Sequence, residues 1–410
     1  MYWRIISAVR NRVPLLRELP VEVTAMSAVA FSVALGFGIV APVIPAFAKE
    51  FGVTTLAADA VISVFAGMRL VSAPPAAKLL DMFGERAVLS YGLLIVSASS
   101  FAAGLSQTYT QLIVLRGLGG LGSTMFTVSA TAVILRVVDA DMRGRASSAW
   151  SGGFLIGGLA GPAVGGLVAG ISLRAPFFVY GSTLLLASLV AHLALRNAHL
   201  HQHASKIENP REHRGWRELV EAFKSSAYRA IIAANLTNGF VRFGILNGLA
   251  ALYVVEALGQ SVGLASTGFL FSAIGQAVLL TAAGRWTDKR GRKPVLLIGV
   301  IGTAIGITLI GAIETIPMYF MGMLILGFSG ALLAASPPAI LGDVTDGHPR
   351  GPVVATAQMA SDFGGIFGPL VAGYLLDRTG TFDWPFFTGG AVMLVVILFI
   401  LRMPETLKRA

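Results

Sequence analysis

Apolar runs recur along the whole chain, separated by short polar connections. They fall at about 22–47, 56–80, 87–106, 108–135, 145–170, 173–195, 228–256, 263–286, 294–313, 316–342, 351–376 and 382–402. A helix needs roughly 17–20 apolar residues to cross the hydrocarbon core of a bilayer. The pattern therefore predicts an all-α membrane protein with twelve transmembrane helices. One connection is long, 196–227, and it divides the spans six and six. The expected organisation is an N-terminal amphipathic segment at 1–20, a six-helix half at 21–195, a cytoplasmic linker at 196–227, a second six-helix half at 228–403 and a tail at 404–410.

The two halves repeat. Asp81 and Asp288, Gly84 and Gly291, Gly120 and Gly327, Arg143 and Arg350, and Gly161 and Gly368 are related by one constant offset. Phe37-Gly38-Ile39 matches Phe243-Gly244-Ile245 one position short of it. Two homologous halves in parallel topology imply a pseudo-twofold axis along the membrane normal and a central cavity. The fifth span carries Gly157-Gly158-Leu159-Ala160-Gly161-Pro162-Ala163-Val164-Gly165-Gly166, and the eleventh carries Gly364-Gly365-Ile366-Phe367-Gly368-Pro369-Leu370-Val371-Ala372-Gly373. Smooth glycine faces let a second helix approach backbone to backbone. Pro162 removes a donor and bends its helix. One copy reads as ordinary tight packing; two copies with the Gly-Pro step in register point to bent helices at matching places.

Composition agrees with the membrane reading. The 410 residues are 55% hydrophobic and 13% charged, with mean hydropathy +0.75, where soluble domains carry roughly 25% charged residues. With no cysteine there is no disulfide, thiolate metal site or cysteine nucleophile. A net charge of +10 would suggest nucleic acid in a soluble chain, but here the basic residues sit in loops. If both termini are cytoplasmic, the outer loops hold only Lys49, Arg174 and Arg378, and the spans only Arg69, Arg116 and Arg242. The rest of the 31 lysines and arginines then lie on or beside the inner face, as the positive-inside rule requires. Residues 1–20 have a basic start but lack the apolar core and cleavage site of a signal peptide. His199, His201, His203 and His213 lie in the linker without acidic or cysteine partners at ligand spacing, so a solvated linker and no metal are expected. The short loops and the cysteine-free, Gly/Ala/Val-rich composition point to a bacterial plasma membrane.

Candidate chemistry is sparse. After the second span comes Asp81-Met82-Phe83-Gly84-Glu85-Arg86; after the eighth comes Asp288-Lys289-Arg290-Gly291-Arg292-Lys293. An Asp at the end of a span, a turn Gly and then basic residues form a tight charged corner. Its Asp can cap a neighbouring helix N-terminus and act as a latch; a plain anchored turn is the other reading. Arg116 lies about eight residues into the fourth span, roughly 12 Å at the α-helical rise. A guanidinium at that depth needs a cavity or a partner. Arg69 and Arg242 lie near mid-span. On an α-helix Arg242 shares a stripe with Asn235 and Asn238. Arg69 aligns with Gln276, one turn after Ser272. Asp362, about eleven residues or ~17 Å from the inner edge, shares a face with Gln358 and Ser361. It is the leading proton-carrier candidate, and a structural Asp–Arg pair is its other reading. Asp59 and Glu256 near outer ends, and Glu22 near an inner end, are lesser candidates. Three arginines against one aspartate leave the interior positive, which favours an anionic or zwitterionic, largely apolar cargo.

These motifs resemble the major facilitator superfamily, and within it the twelve-helix drug:proton antiporter branch, over essentially the whole chain outside linker and tails. Asp81, Gly84 and Arg86 are similar to the family's signature loop, with Ala77 in place of a leading Gly and Met82 and Ala87 in place of basic residues. The second copy, with Gly284, Asp288, Gly291 and Arg292, is closer to the pattern. Arg116, Gly120 and Gly122 resemble the fourth-helix motif tied to proton coupling, with Gly119 where Gln is common. Gly157, Gly161, Pro162, Gly165 and Gly166 match the fifth-helix antiport motif in full.

The resemblance implies rocking of two halves around a central site. The expected function is proton-coupled efflux of a small amphipathic compound. Asp362 and Arg116 would couple protons, and Arg69, Arg242, Asn235, Asn238, Gln276 and Gln358 would meet the cargo. The expected partners are the lipid bilayer, protons and a small molecule, with no cofactor, no metal and no nucleic acid, in a monomer. A proton symporter importing an organic anion, or a non-transporting receptor, are the alternatives. No His–acid pair, metal cluster or Ser–His–Asp arrangement lies at membrane depth, so an enzyme is not expected.

Overall fold

The structure, a computed structural model, describes residues 19–138, 143–195, 219–345 and 351–407. The segment 1–18, linker residues 196–218 with the four histidines, and Arg350 lie outside the described residues. The described residues form helices and no strand: α1 (Val21–Val40), α2 (Ile44–Lys49), α3 (Thr55–Val71), α4 (Ala73–Gly104), α5 (Tyr109–Val137), α6 (Arg143–Ala169), α7 (Ala175–Ala194), α8 (Ser226–Asn238), α9 (Asn247–Leu252), α10 (Val262–Lys289), α11 (Arg292–Ala312), α12 (Ile316–Val344), α13 (Gly351–Thr379) and α14 (Asp383–Arg402). Eleven of the continuous helical stretches among them are long and apolar enough to cross a membrane. α3 continues through Ser72 into α4, where Pro74 and Pro75 follow. Gly84, at φ 76°, then breaks α4. The second and third spans therefore share this stretch, consistent with twelve crossings.

Gly84 and Gly291, matched by the repeat, both adopt positive φ, at 76° and 113°. Only glycine takes that geometry without strain, so each half turns its charged corner on the same residue. The seventh span, Ser226–Ala257, is not a uniform α-helix. Gly239–Leu246 and Tyr253–Ala257 widen into π-helix.

The described residues pack as two units. One runs up to Val43 and resumes at Val64 as far as residue 195. The other joins Ile44–Ser63 to the residues from 219 onward. The same pairings occur within each. α1 lies on α6 and α7, and α4 on α5 and α7. In the second unit α13 lies on Gly239–Leu246, α8 on α14, and α11 on α12 and α14.

The paired glycine stretches explain the first of these contacts. A Cβ on Gly157, Gly161 or Gly165 would collide with the backbone carbonyl of Phe31, Leu35 or Ile39 on α1. Cβ atoms on Gly364 and Gly368 would strike the carbonyls of Leu236 and Phe240. Both stretches thus bring two backbones into direct contact, and Gly38 and Gly244 supply the facing notches beside Pro162 and Pro369.

Candidate functional site

In the first unit the interior chemistry centres on Arg116. It is 1% exposed, and Nε, Nη1 and Nη2 have no hydrogen-bond partner among the described residues. Its guanidinium lies 4.5 Å from the centroid of the Phe65 ring, a cation–π contact. Phe65 in turn stacks on Phe37 of α1 at 5.8 Å. Tyr180 of α7 is fully buried and lies within electrostatic reach of both Arg116 and Arg69. Arg69 is half-buried, and its carbonyl accepts from Thr124 Oγ1 at 2.8 Å. α5 can come this close to α3 because a Cβ on Gly120 would strike the Phe65 carbonyl.

In the second unit Arg242 sits in the first π segment. Nη2 donates to Ser272 Oγ of α10 at 3.5 Å, and Nη1 packs where Gly330 of α12 has no side chain. Gln276, one turn beyond Ser272, is buried. Asn235 faces elsewhere: its Nδ2 donates to the Ala357 carbonyl of α13 at 2.9 Å. Asn238 is half-buried, and its Oδ1 has no partner among the described residues. The stripe joining Asn235, Asn238 and Arg242 presumes an unbroken α-helix. The π segment shifts that phase, so Arg242 meets α10 and α12 while Asn235 holds α13. Asp362 is half-buried with no hydrogen bond or ion pair to a described residue, and Gln358 is exposed.

The two signature corners differ. Asp81 is exposed, while Arg86 Nη2 lies 2.7 Å from His192 Nε2 of α7. At the second corner Arg292 Nη1 donates to Asp288 Oδ1 at 2.7 Å and Nε to Asp343 Oδ2 at 3.1 Å. Thr406 Oγ1 donates to the same Asp343 oxygen at 2.8 Å. Glu405 accepts the backbone N–H groups of Arg292 at 2.7 Å and Lys293 at 3.2 Å, capping α11 where the helix dipole favours an anion. Lys293 Nζ answers by donating to the carbonyls of Leu401 and Met403.

A further polar corner lies where α3 begins. Asp377 of α13 accepts the N–H of Thr55 at 2.9 Å and of Leu56 at 2.8 Å. Lys49 Nζ donates to Thr55 Oγ1 at 3.1 Å, and Ser63 Oγ to the Ile366 carbonyl at 2.7 Å. Asp59 is buried in this corner with neither carboxylate oxygen bonded to a described residue. The contacts of Asp377, Asp343, Glu405 and Tyr180 are ones the sequence pattern alone does not single out. A signal for two of them does exist. Asp377 and Asp343 occupy the last turns of α13 and α12, where the dipole disfavours an anion, so each announces a partner elsewhere.

Residues 26–275 and 231–410 match the Major Facilitator Superfamily. The chain is 25% identical over 383 residues to Multidrug resistance protein 1 of Bacillus subtilis (strain 168), covering 91% of this chain and 94% of that protein. It is 24% identical over 371 residues to Multidrug resistance protein 2 of the same organism, covering 88% and 90%. In fold it is similar to the crystal structure of the nucleoside transporter NupG, with TM-score 0.71 at 15% identity over 93% of this chain and 100% of that one. From its helices, its duplicated glycine contacts and these near full-length matches, the chain belongs to the Major Facilitator Superfamily, a family of membrane transporters rather than enzymes.

Proposed function

We propose that the chain is a proton-coupled exporter of a small amphipathic compound, anionic or zwitterionic, working by alternating access. The observation that carries the charge of the cargo is Arg116, a buried guanidinium with an aromatic ring beneath it and no hydrogen-bond partner among the described residues. Such a group gains most from an acceptor brought by the cargo. Arg242, with one long hydrogen bond to Ser272, offers a second cation, and Arg69, Asn238, Gln276 and Gln358 complete the cargo contacts. Asp362, with no hydrogen bond or ion pair to a described residue, is the proton carrier in this reading. Export is supported by the names of the full-length relatives, which are multidrug resistance proteins, and by the complete Gly157–Gly166 motif. A ligand shifts two facing states only through different affinities for them, so proton and cargo must each be sensed differently in the two. In this reading the protein is a monomer of the bacterial inner membrane, with both termini and the 196–227 linker cytoplasmic. Asp81 and Asp288 latch the cytoplasmic side.

The test is proton flux in proteoliposomes under an imposed pH gradient, with lipophilic anions, zwitterions and cations added in turn. An anion or zwitterion should collapse the gradient while moving against the proton flow, and Asp362→Asn should abolish this. Collapse by cations alone, or cargo moving with the protons, would overturn the charge or the direction respectively.

A further inference from the structure

Asp59 lies one turn into α3 and is 0% exposed. Neither of its carboxylate oxygens has a hydrogen-bond partner among the described residues. It abuts Gly248 of α9, where a Cβ would come within 2.9 Å of Oδ1, and α9 itself carries no charged residue. The charged groups that act on Asp59 from the elements around it are Asp377 of α13 and Lys49 of α2. Both are engaged elsewhere, Asp377 with the N–H groups of Thr55 and Leu56 and Lys49 with Thr55 Oγ1. An ionised carboxylate in this place loses its water and gains no donor in return, with a second carboxylate nearby. A carboxyl bearing a proton carries no charge to solvate.

The residues around it form a seat. Ile44–Ser63 packs with the second unit, yet its chain continues at both ends into the first. Asp377 holds the start of α3, Ser63 bonds the Ile366 carbonyl, and a Cβ on Gly373 would strike the backbone of Leu56. Asp59 is 0% exposed beside these contacts, so hydrating its carboxylate requires them to loosen.

We infer that Asp59 is a proton-binding site: it holds a proton while the start of α3 is seated against α9 and α13. When that seat opens, the O–H bond breaks, the proton passes to water and the carboxylate remains hydrated. This rests on the proposed proton-coupled transport for its use, but the site can be tested without any cargo.

The chain has no cysteine, so Ala58→Cys supplies a single thiol at a position that is 0% exposed in the seat. Its labelling by maleimide is followed in lipid nanodiscs, with and without Asp59→Asn, and the two rates are divided to cancel the thiol's own pH response. The ratio of parent to Asp59→Asn should be near unity at low pH and rise about tenfold or more as the pH is raised. A flat ratio overturns the site. If Asp59→Asn is labelled quickly at every pH, the amide has failed to seat, and Asp59→Glu then decides: pH-dependent labelling supports the site and pH-independent labelling overturns it. Proton flux in proteoliposomes on addition of the lipophilic anions, zwitterions and cations separates the two readings. A pH-dependent ratio without flux removes the coupled transport and keeps the site, whereas flux with a flat ratio does the reverse.

Discussion

Asp377 accepts the backbone N–H of Thr55 at 2.9 Å, so the first turn of α3 is capped by a side chain from α13. With Leu56 bound by the second oxygen, two of the four orphan donors of that turn are satisfied. Losing a cap costs about 1 kcal/mol, which is roughly a fivefold change in an opening equilibrium. Asp377→Ala should therefore raise maleimide labelling of Ala58→Cys by about fivefold, with Asp377→Asn between it and the parent. Equal labelling of all three would show that the cap does not hold the seat.

Adjacent glycines of α6 should respond in opposite ways. A Cβ on Gly157 meets the Phe31 carbonyl and the Leu35 nitrogen, whereas one on Gly158 meets nothing within 4 Å. Backbone cannot rotate aside as a side chain can, and overpacking costs about 1–3 kcal/mol. Gly157→Ala should lower the melting temperature in detergent and the monodisperse yield. Gly158→Ala should match the parent or exceed it slightly, because alanine favours helix.

Arg116 sets stability against function. A buried charge without a hydrogen-bond partner carries a desolvation cost that an apolar side chain of similar volume does not. Arg116→Met should melt at or above the parent temperature while transport falls by about tenfold or more. A fall in both would assign the guanidinium a structural role over Phe65.

At the second corner, the Arg292 side chain is 12% exposed, Asp343 26% and Asp288 71%. Solvent screening reduces the exposed pair most. A double-mutant cycle between Arg292 and Asp343 should give a coupling of about 1 kcal/mol, and one between Arg292 and Asp288 a few tenths at most. Equal couplings would mean that burial does not set their strength.

The fold was legible because its signals are local or repeated. Apolar run length reports spans, and the matched pairs Gly84/Gly291 and Gly161/Gly368 report a duplicated turn and a duplicated close contact. The site was legible only in part. Arg116 announces itself as a charge at membrane depth, but nothing in the sequence says that Phe65 lies beneath it. Asp59 looks like a helix-end acid until Gly248, far along the chain, closes over it; a glycine partner leaves no chemical signature. Asn235 and Arg242 read as neighbours because periodicity assumes 3.6 residues per turn, and the departure between them has no sequence rule.

That departure has a geometric consequence. A π turn holds one residue more than the α turn it replaces. If Gly239–Leu246 returned to α geometry, the surplus residue would have to pass along the helix, rolling one side against the other by about 100°. Arg242 would then leave Ser272 and the notch at Gly330, while Asn235 kept its bond to Ala357. Such a return would turn one part of the seventh span's face while another stayed engaged.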